Sequence, residues 1–365
     1  MKYIHNLKAW PAFTWQHEEI EKPLASVRHR QGLLLGKLED LGFRFREQAS
    51  LENLSLDVIK SSEIEGEKLP ADQVRSSLAR RLGIEHAGLV AVDRHVDGVV
   101  EMMLDATQKY KQPLSAKRLH AWHAALFPTG RSGMQRITVA NWRKDDGGPM
   151  EVVSGPMGKE RVHFVAPDAS RLKQEMKLFI TWFNENDTHD PILKAALAHL
   201  WFVTVHPFDD GNGRVARAIA DLQLSRADES KQRFYSMSAQ IRKERSDYYA
   251  ILEKTQRGTL DVTAWLLWFF GCLDRALAAS GENLKSVLHR ARFWEQHQNT
   301  SLNDRQRRMM NKLLENFDGK LTSSKWAKMT KTSPDTALRD IQDLITKKIL
   351  DKEEGGGRST NYKLR

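Results

Sequence analysis

Apolar residues recur at intervals of three and four along most of the chain, the period of a helix with one buried face. Leu24, Val27, Leu34, Leu38 and Leu41 carry this period through a first segment, and Leu51, Leu54, Val58 and Ile59 through a second. Residues 170–184 repeat it with Leu172, Met176, Phe179 and Phe183. The run "DPILKAALAHLWFVTV" at 190–205 follows, with Pro191 where a first helical turn tolerates proline. One stretch departs from the pattern. Between 143 and 166, turn residues alternate with short β-favouring runs, and "MEVVS" and "ERVHFV" flank "GPMGK". That spacing predicts a β-hairpin with a five-residue connection. The expected fold is all-α with one hairpin, and no long repeat or low-complexity tract interrupts it.

A chain of 365 residues is long enough for two or three domains. Its 28% charged and 40% hydrophobic residues are those of an ordinary globular protein. The net charge of +10, from 57 basic and 47 acidic residues, suits a phosphate-bearing partner and suits a merely soluble surface equally well. Cys272 stands alone within "WLLWFFGCL", which excludes an intrachain disulfide and reads as a small buried apolar residue. The same run is too short to span a bilayer, and "MKYIHNLKAWPAFTW" lacks the apolar core of a signal peptide. A cytoplasmic protein with no membrane partner is expected. Near 298 the composition shifts: residues 301–365 hold 15 Lys and Arg against 9 Asp and Glu. The expected organisation is an N-terminal helical extension over 1–100, a core over 101–298 and a small basic domain over 299–365.

The densest chemistry lies at 206–217, "HPFDDGNGRVAR". Gly211 and Gly213 adopt positive φ at little cost and can aim successive N–H groups at an anion. "RVARAIADLQLSRA" then has helical period, so the turn runs into a helix N-terminus, where phosphate binds readily. Arg214 and Arg217 share a face of that helix and suit a chain of phosphates. Asp209 and Asp210 beside such a cradle call for a cation, and Mg²⁺ binds one or two carboxylates together with phosphate oxygens. His206 can be neutral near pH 7 and accept a proton from an attacking hydroxyl. These are the parts needed to move a phosphorus-centred group.

Three other readings of the stretch compete. "GNGRVA" matches the dinucleotide fingerprint, but Pro207 and two acids separate it from "LWFVTV", and no βαβ series follows. A Walker loop lacks its G-K-[ST]. A plain polar turn with a capping histidine explains one residue at a time and not the whole order.

The stretch resembles the signature of Fic-domain proteins, HPFx(D/E)GNGRxxR, at His206, Pro207, Phe208, Asp210, Gly211, Asn212, Gly213, Arg214 and Arg217. Most members of that family transfer AMP from ATP to a protein hydroxyl. The resemblance implies a helical core with the motif in a helix–loop–helix. His206 would be the general base and Asp210 the Mg²⁺ ligand. Asn212 and the glycine backbone would hold the α-phosphate region, and Arg214 and Arg217 the outer phosphates. It reaches over roughly 60–225 and identifies the hairpin, with Val152, Val153, Val162 and His163, as a flap on which a target segment docks as an added strand. "SSEIEG" fits the family's inhibitory pattern through Ser61, Glu65 and Gly66. Glu65 would then pair with Arg217 and occupy space that the γ-phosphate needs, acting in cis from an earlier helix. A surface glutamate near a helix end stopped by glycine is the plainer alternative. The N-terminal "YIHNLKAWPAFTW" is similar to the extension of one bacterial Fic subgroup, and its Trp10, Phe13 and Trp15 are expected to be core that pins the inhibitory helix to the body.

The tail from Leu321 to Arg365 resembles a winged helix-turn-helix. Thr322 or Ser323 can cap its first helix, Ala337, Ile341, Leu344 and Ile345 line one face of the second, and the glycine-tipped end reads as a wing. Lys331, Thr336, Arg339 and Arg358 would face phosphates or base edges. Asp335, Asp340 and Asp343 weigh against DNA, and a protein-docking role fits as well. The expected function is an ATP- and Mg²⁺-dependent protein adenylyltransferase acting on a Ser, Thr or Tyr hydroxyl, of another protein or of itself, and auto-inhibited by Glu65; homodimers are usual in that family. The alternatives are a nucleotide-sensing transcription regulator that binds DNA through the tail, and transfer of another phosphate-linked group such as UMP or phosphocholine.

Overall fold

The protein is described from a computed structural model, over residues 3–39, 43–84, 89–155, 158–185, 189–314, 317, 319–353 and 360–365. Leu41 and Arg358, named above, lie outside the described residues. The chain divides into two compact units, Met1–Gly281 and Glu282–Arg365.

In the first unit, helices α1 (His17–Glu39) and α2 (Phe43–Ile64) take up the two leading periodic segments, and α3 (Ala71–Leu82) and α4 (Arg94–Gln108) follow. Val27, Leu34 and Leu38 of α1 and Leu51, Leu54 and Val58 of α2 are buried. Helix α5 (Ala116–Leu126) crosses α4 so closely that a Cβ on Gly98 would stand 1.8 Å from the Ala125 carbonyl oxygen. Only a glycine fits that contact. Two short antiparallel hairpins come next: β1 (Arg131–Ser132) with β2 (Gln135–Arg136), and β3 (Glu151–Ser154) with β4 (Arg161–Val165). The second is the predicted hairpin, with a register shift between Val152 and Val153.

Helix α6 (Leu172–Asn184) buries Leu172, Met176, Phe179 and Phe183, the face its period predicted. Helix α7 (Pro191–Val205) starts with Asp190 accepting from the Ile192 N–H and Pro191 in its first turn. It is buried along its length and packs against α8 (Asn212–Ala227) at the centre of the unit. Helices α9 (Met237–Lys243), α10 (Arg245–Gln256) and the long α11 (Thr263–Gln296) complete the sequence. Helix α2 lies against α8 and α9. Trp10 and Phe13 meet Trp201 of α7 edge-on, and the Trp10 indole donates to Glu175 of α6. These aromatics therefore fasten the N-terminal segment to α6 and α7, while α2 is held elsewhere. The division between units falls inside α11, ahead of the compositional step near 298.

The second unit has α12 (Asp304–Leu314), α13 (Ser323–Thr330), α14 (Pro334–Thr346) and an antiparallel pair, β5 (Leu350–Lys352) with β6 (Tyr362–Leu364). Trp326, Ala337, Ile341, Leu344 and Leu350 form its buried centre. Thr322 caps α13 by accepting from the Lys325 N–H. Among the described residues, no helix is long and apolar enough to cross a membrane.

Candidate active site

Helices α7 and α8 are joined by residues 206–211, and the local sequence fixes how. His206 ends α7 with φ 51° and Gly211 opens α8 with φ 81°. Both are left-handed conformations, routine for glycine and unusual for histidine, so the surroundings must hold His206 in place. A Cβ on Gly211 would also meet the Phe127 ring at 2.9 Å. Asn212 staples the loop from inside: its amide oxygen accepts from the Phe208 N–H at 2.9 Å and its amide nitrogen donates to the Phe208 carbonyl at 2.7 Å. Phe208 is fully buried and stacks on His123 with ring centroids 4.2 Å apart.

Residues outside the motif hold the loop from the other side. Arg143, 3% exposed, donates to the His206 carbonyl at 2.8 Å and also engages the Pro167 carbonyl and Asp145. The Arg143 N–H donates to the Pro207 carbonyl. His123 donates from Nε2 to the Asp210 carbonyl at 3.1 Å and accepts at Nδ1 from the Ala140 N–H. Burial pushes His123 down to about 4, against the hydrogen bond to Asp210, so the ring is neutral. Neither Arg143 nor His123 was visible as a site residue in sequence. Each sits far along the chain from the motif, and no periodicity marks it.

The two aspartates separate in role. Asp209 accepts from the Thr138 N–H at 2.7 Å and braces the strand-like segment after β2. Asp210 accepts from the Gly211 N–H and from the Ser132 hydroxyl of β1. Asp210 is half-buried. His206 donates from Nδ1 to the Val203 carbonyl at 3.1 Å, which fixes its tautomer and leaves the lone pair on Nε2. His206 is half-buried, yet loss of solvation pushes its pKa down to about 4, with the Val203 bond working the other way.

Arg214 and Arg217 project from the first turn and a half of α8 onto the end of α2. Their partners come from a tightly specified turn. The Gly66 N–H donates to the Glu63 carbonyl and the Glu67 N–H to the Ser62 carbonyl, with Gly66 at φ 87°. This glycine-terminated cap places Glu65 and Glu67 on the two sides of a left-handed residue. Arg217, 2% exposed, donates to the Ser61 hydroxyl and carbonyl at 2.9 Å each and to the Glu65 carboxylate at 2.8 Å. Burial is the largest influence and opposes the Arg217 charge, but Glu65 together with Tyr248 and Tyr249 outweighs it and the guanidinium pKa lies above its ordinary value. Arg214, 5% exposed, pairs with Glu67 at 3.0 Å and lies over the Phe127 ring. Gly211 has no side chain to cap α8, and the Glu65 carboxylate lies where a Cβ on Gly213 would stand, 2.2 Å from it. Arg245 of α10 donates to the Ile64 carbonyl at 2.7 Å, and the Tyr249 hydroxyl approaches Glu65 at 3.3 Å.

Strand β4 is anchored to the same helix α10. His163 Nδ1 meets Glu253 at 2.6 Å and Nε2 meets the Ser154 hydroxyl, while Arg257 donates to the Val162 carbonyl at 2.8 Å. Val153, paired with Val162, is 47% exposed. The structure therefore gathers Ser61, Glu65, His206, Asp210, Gly213, Arg214 and Arg217 around one helix N-terminus. Val152, Val153, Val162 and His163 lie in the hairpin.

Comparison with known proteins agrees with this geometry. Residues 113–224 match the Fic/DOC family, and residues 3–84 match a domain of unknown function, DUF4172. A protein adenylyltransferase, fic-1 of Caenorhabditis elegans, is 27% identical over 57% of this chain and 38% of its own length. A protein adenylyltransferase Fic of Nematostella vectensis is 32% identical over 32% of this chain and 26% of its own. The chain thus spans well under half the length of these curated relatives. A crystal structure of a Fic family protein from Desulfovibrio desulfuricans aligns over 97% of this chain and 98% of that one, with 20% identity and a TM-score of 0.54, and so shares the fold. The chain carries a Fic/DOC family domain over residues 113–224.

Proposed function

We propose that this protein is a protein adenylyltransferase that uses ATP and Mg²⁺ and is held inactive by Glu65. The observation that carries the reading is the pair of buried guanidiniums at the N-terminus of α8. Arg214 Nε and Arg217 Nη1 are buried N–H groups without an acceptor among the described residues. Buried donors left unmatched are costly, so a ligand rich in acceptor oxygens fits there. A triphosphate also suits the uncapped first turn. The names of the curated relatives support AMP as the group moved.

In this reading the hydroxyl oxygen of a Ser, Thr or Tyr side chain attacks the α-phosphorus. Its proton passes to His206 Nε2, the bond from the α-phosphorus to the bridging oxygen breaks, and pyrophosphate leaves. Arg214 and Arg217 stabilise the charge that gathers on the departing phosphates. Asp210 fits a Mg²⁺ ligand: it is one half-buried carboxylate beside the phosphate cradle, which suffices for an ion that takes most of its shell from phosphate and water. Mg²⁺, when bound, supplies charge neutralisation. The Asn212 amide is spent on Phe208, so its part is to hold the loop's shape. The hairpin β3–β4 offers main-chain groups to an extended target segment, with Glu253 and Arg257 steadying β4. With Glu65 on Arg217 and against Gly213, the outer phosphates cannot reach their place. Mass spectrometry after incubation with ATP and Mg²⁺ tests the reading and the group transferred. Added AMP on the Glu65→Gly protein or a co-incubated lysate supports it; UMP or phosphocholine added from their own donors instead would redirect it.

A second reading concerns the tail, which we take as a winged helix able to bind DNA. Two of the acids that weigh against DNA are neutralised within the unit. Asp340 is held by Arg305 at 2.8 and 3.0 Å and by Asn303, and Asp343 by Lys347 and Gln306. Lys331 and Arg339 remain exposed at α14 and just before it, and Thr336 is half-buried in its first turn. Fluorescence anisotropy on a duplex should show affinity that falls steeply with salt and persists in His206→Ala. Salt-insensitive or absent binding removes this reading.

A further inference from the structure

The inhibitory pattern accounts for one acid, and the turn after α2 delivers two. The Glu67 carboxylate pairs with Arg214 Nη1 at 3.0 Å, and its other oxygen abuts His95 Nε2 at the start of α4. We infer that Glu67 is a second residue governing the nucleotide site, holding Arg214 as Glu65 holds Arg217, with His95 as its positioning residue. The inference rests on the adenylyltransferase reading of the site.

The geometry leaves Arg214 little choice of partner. Arg214 is 5% exposed and its guanidinium lies 5.1 Å from the centre of the Phe127 ring, so solvent offers it little alternative acceptor. Its Nη1 meets either Glu67 or an incoming phosphate oxygen. Two anions on one guanidinium edge repel at that range. Glu67 also feels the Asp210 charge, which places its carboxylate near the motif loop. The left-handed Gly66 ties both acids to one turn, so Glu65 and Glu67 leave together or each alone according to which bond is lost. His95 comes from α4, an element separate from both α2 and α8, and its Nε2 lies against the Glu67 oxygen that Arg214 does not use. A variant lacking only Glu65 is therefore half unlocked: Arg217 can receive phosphate while Arg214 is still occupied.

Titration calorimetry with ATP and Mg²⁺, and separately with AMP, tests this on wild type, Glu65→Gly, Glu67→Gln and the double variant, with Glu67→Ala as a second form in case one folds poorly. The inference expects Glu67→Gln to tighten ATP binding about three- to tenfold in the Glu65→Gly background, the scale of one partly exposed charge pair, and by less in wild type, where Glu65 still bars the outer phosphates. AMP, which lacks the outer phosphates, should bind all four proteins about equally, a split that a purely structural glutamate would not produce. His95→Gln should give a smaller gain of the same sign. Unchanged or weaker ATP binding on removing Glu67, while Glu65→Gly still binds ATP, overturns this inference alone. Failure of Glu65→Gly itself to bind ATP overturns it together with the proposed function.

Discussion

The Glu65 carboxylate lies 2.8 Å from the Arg217 guanidinium and against the backbone of Gly213, so one side chain occupies both the cation and the open turn of a single helix N-terminus. Removing it uncovers a buried positive charge. Ser61 still accepts twice from Arg217, which limits the loss. Glu65→Gly is expected to cost about 1–2 kcal/mol of stability. ATP with Mg²⁺ should then raise its melting temperature by more than it raises that of wild type, because only the variant frees Arg217 and the open turn at Gly213. Differential scanning fluorimetry measures both shifts; an equal ATP shift in the two proteins contradicts the block.

The tautomer of His206 and its lowered pKa make it a base that is neutral at all ordinary pH values. Transfer by Glu65→Gly should therefore show no acid limb between pH 8 and 5.5, and should fall as pH drops toward about 4. A limb centred near the ordinary histidine value of about 6.5 would place a different base at the reaction.

Acid should weaken the fold earlier than it weakens His206. Burial pushes His123 down to about 4 and His199 down to about 3. Both rings are neutral when folded and bind a proton more readily when unfolded. Their contribution is complete above about pH 6.5 and is lost as pH falls toward those lowered values. Over that window His123 is worth up to roughly 3 kcal/mol and His199 up to roughly 5 kcal/mol. Urea midpoints should decline from pH 6.5 to 4.5, and His123→Asn should flatten that decline at the cost of lower stability at pH 7.

Arg143 is the brace that keeps His206 in its left-handed conformation. Arg143→Met leaves the His206 and Pro167 carbonyls without their donor and Asp145 without its cation. A loss of about 2–4 kcal/mol is expected from urea denaturation. In the Glu65→Gly background, kcat should fall by more than KM for ATP rises, because the base is misplaced while the arginines are not.

Much of this was legible in the chain. The motif pointed to the candidate site because two turn glycines, a histidine, an aspartate and two arginines stand within a dozen residues. The period of three and four placed α6 and α7, and the hairpin announced itself through its break in that period. Thr322 capped its helix as its residue type allows. What stayed hidden was long in range. Arg143, His123 and Ser132 reach the loop from 63 to 87 positions away and leave no local trace. Asn212 turned inward onto Phe208, a choice set by packing. The hairpin β1–β2 has only two-residue strands, too short for alternation to show. Glu67 was overlooked because a pattern that ends at Gly66 says nothing of the residue after it. The acids of α14 looked hostile to phosphate until α12 and its leading turn supplied Arg305 and Asn303.

The most direct test of the central claim is the transfer of label from α-labelled ATP, with Mg²⁺, to the protein itself or to a lysate, compared across wild type, Glu65→Gly and Glu65→Gly with His206→Ala. Convergence of base, acid and arginines on one triphosphate predicts weak labelling of wild type, at least about tenfold more with Glu65→Gly, the effect of ~1.4 kcal/mol, and none once His206 is removed. Equal labelling by all three proteins, or none by any, contradicts it.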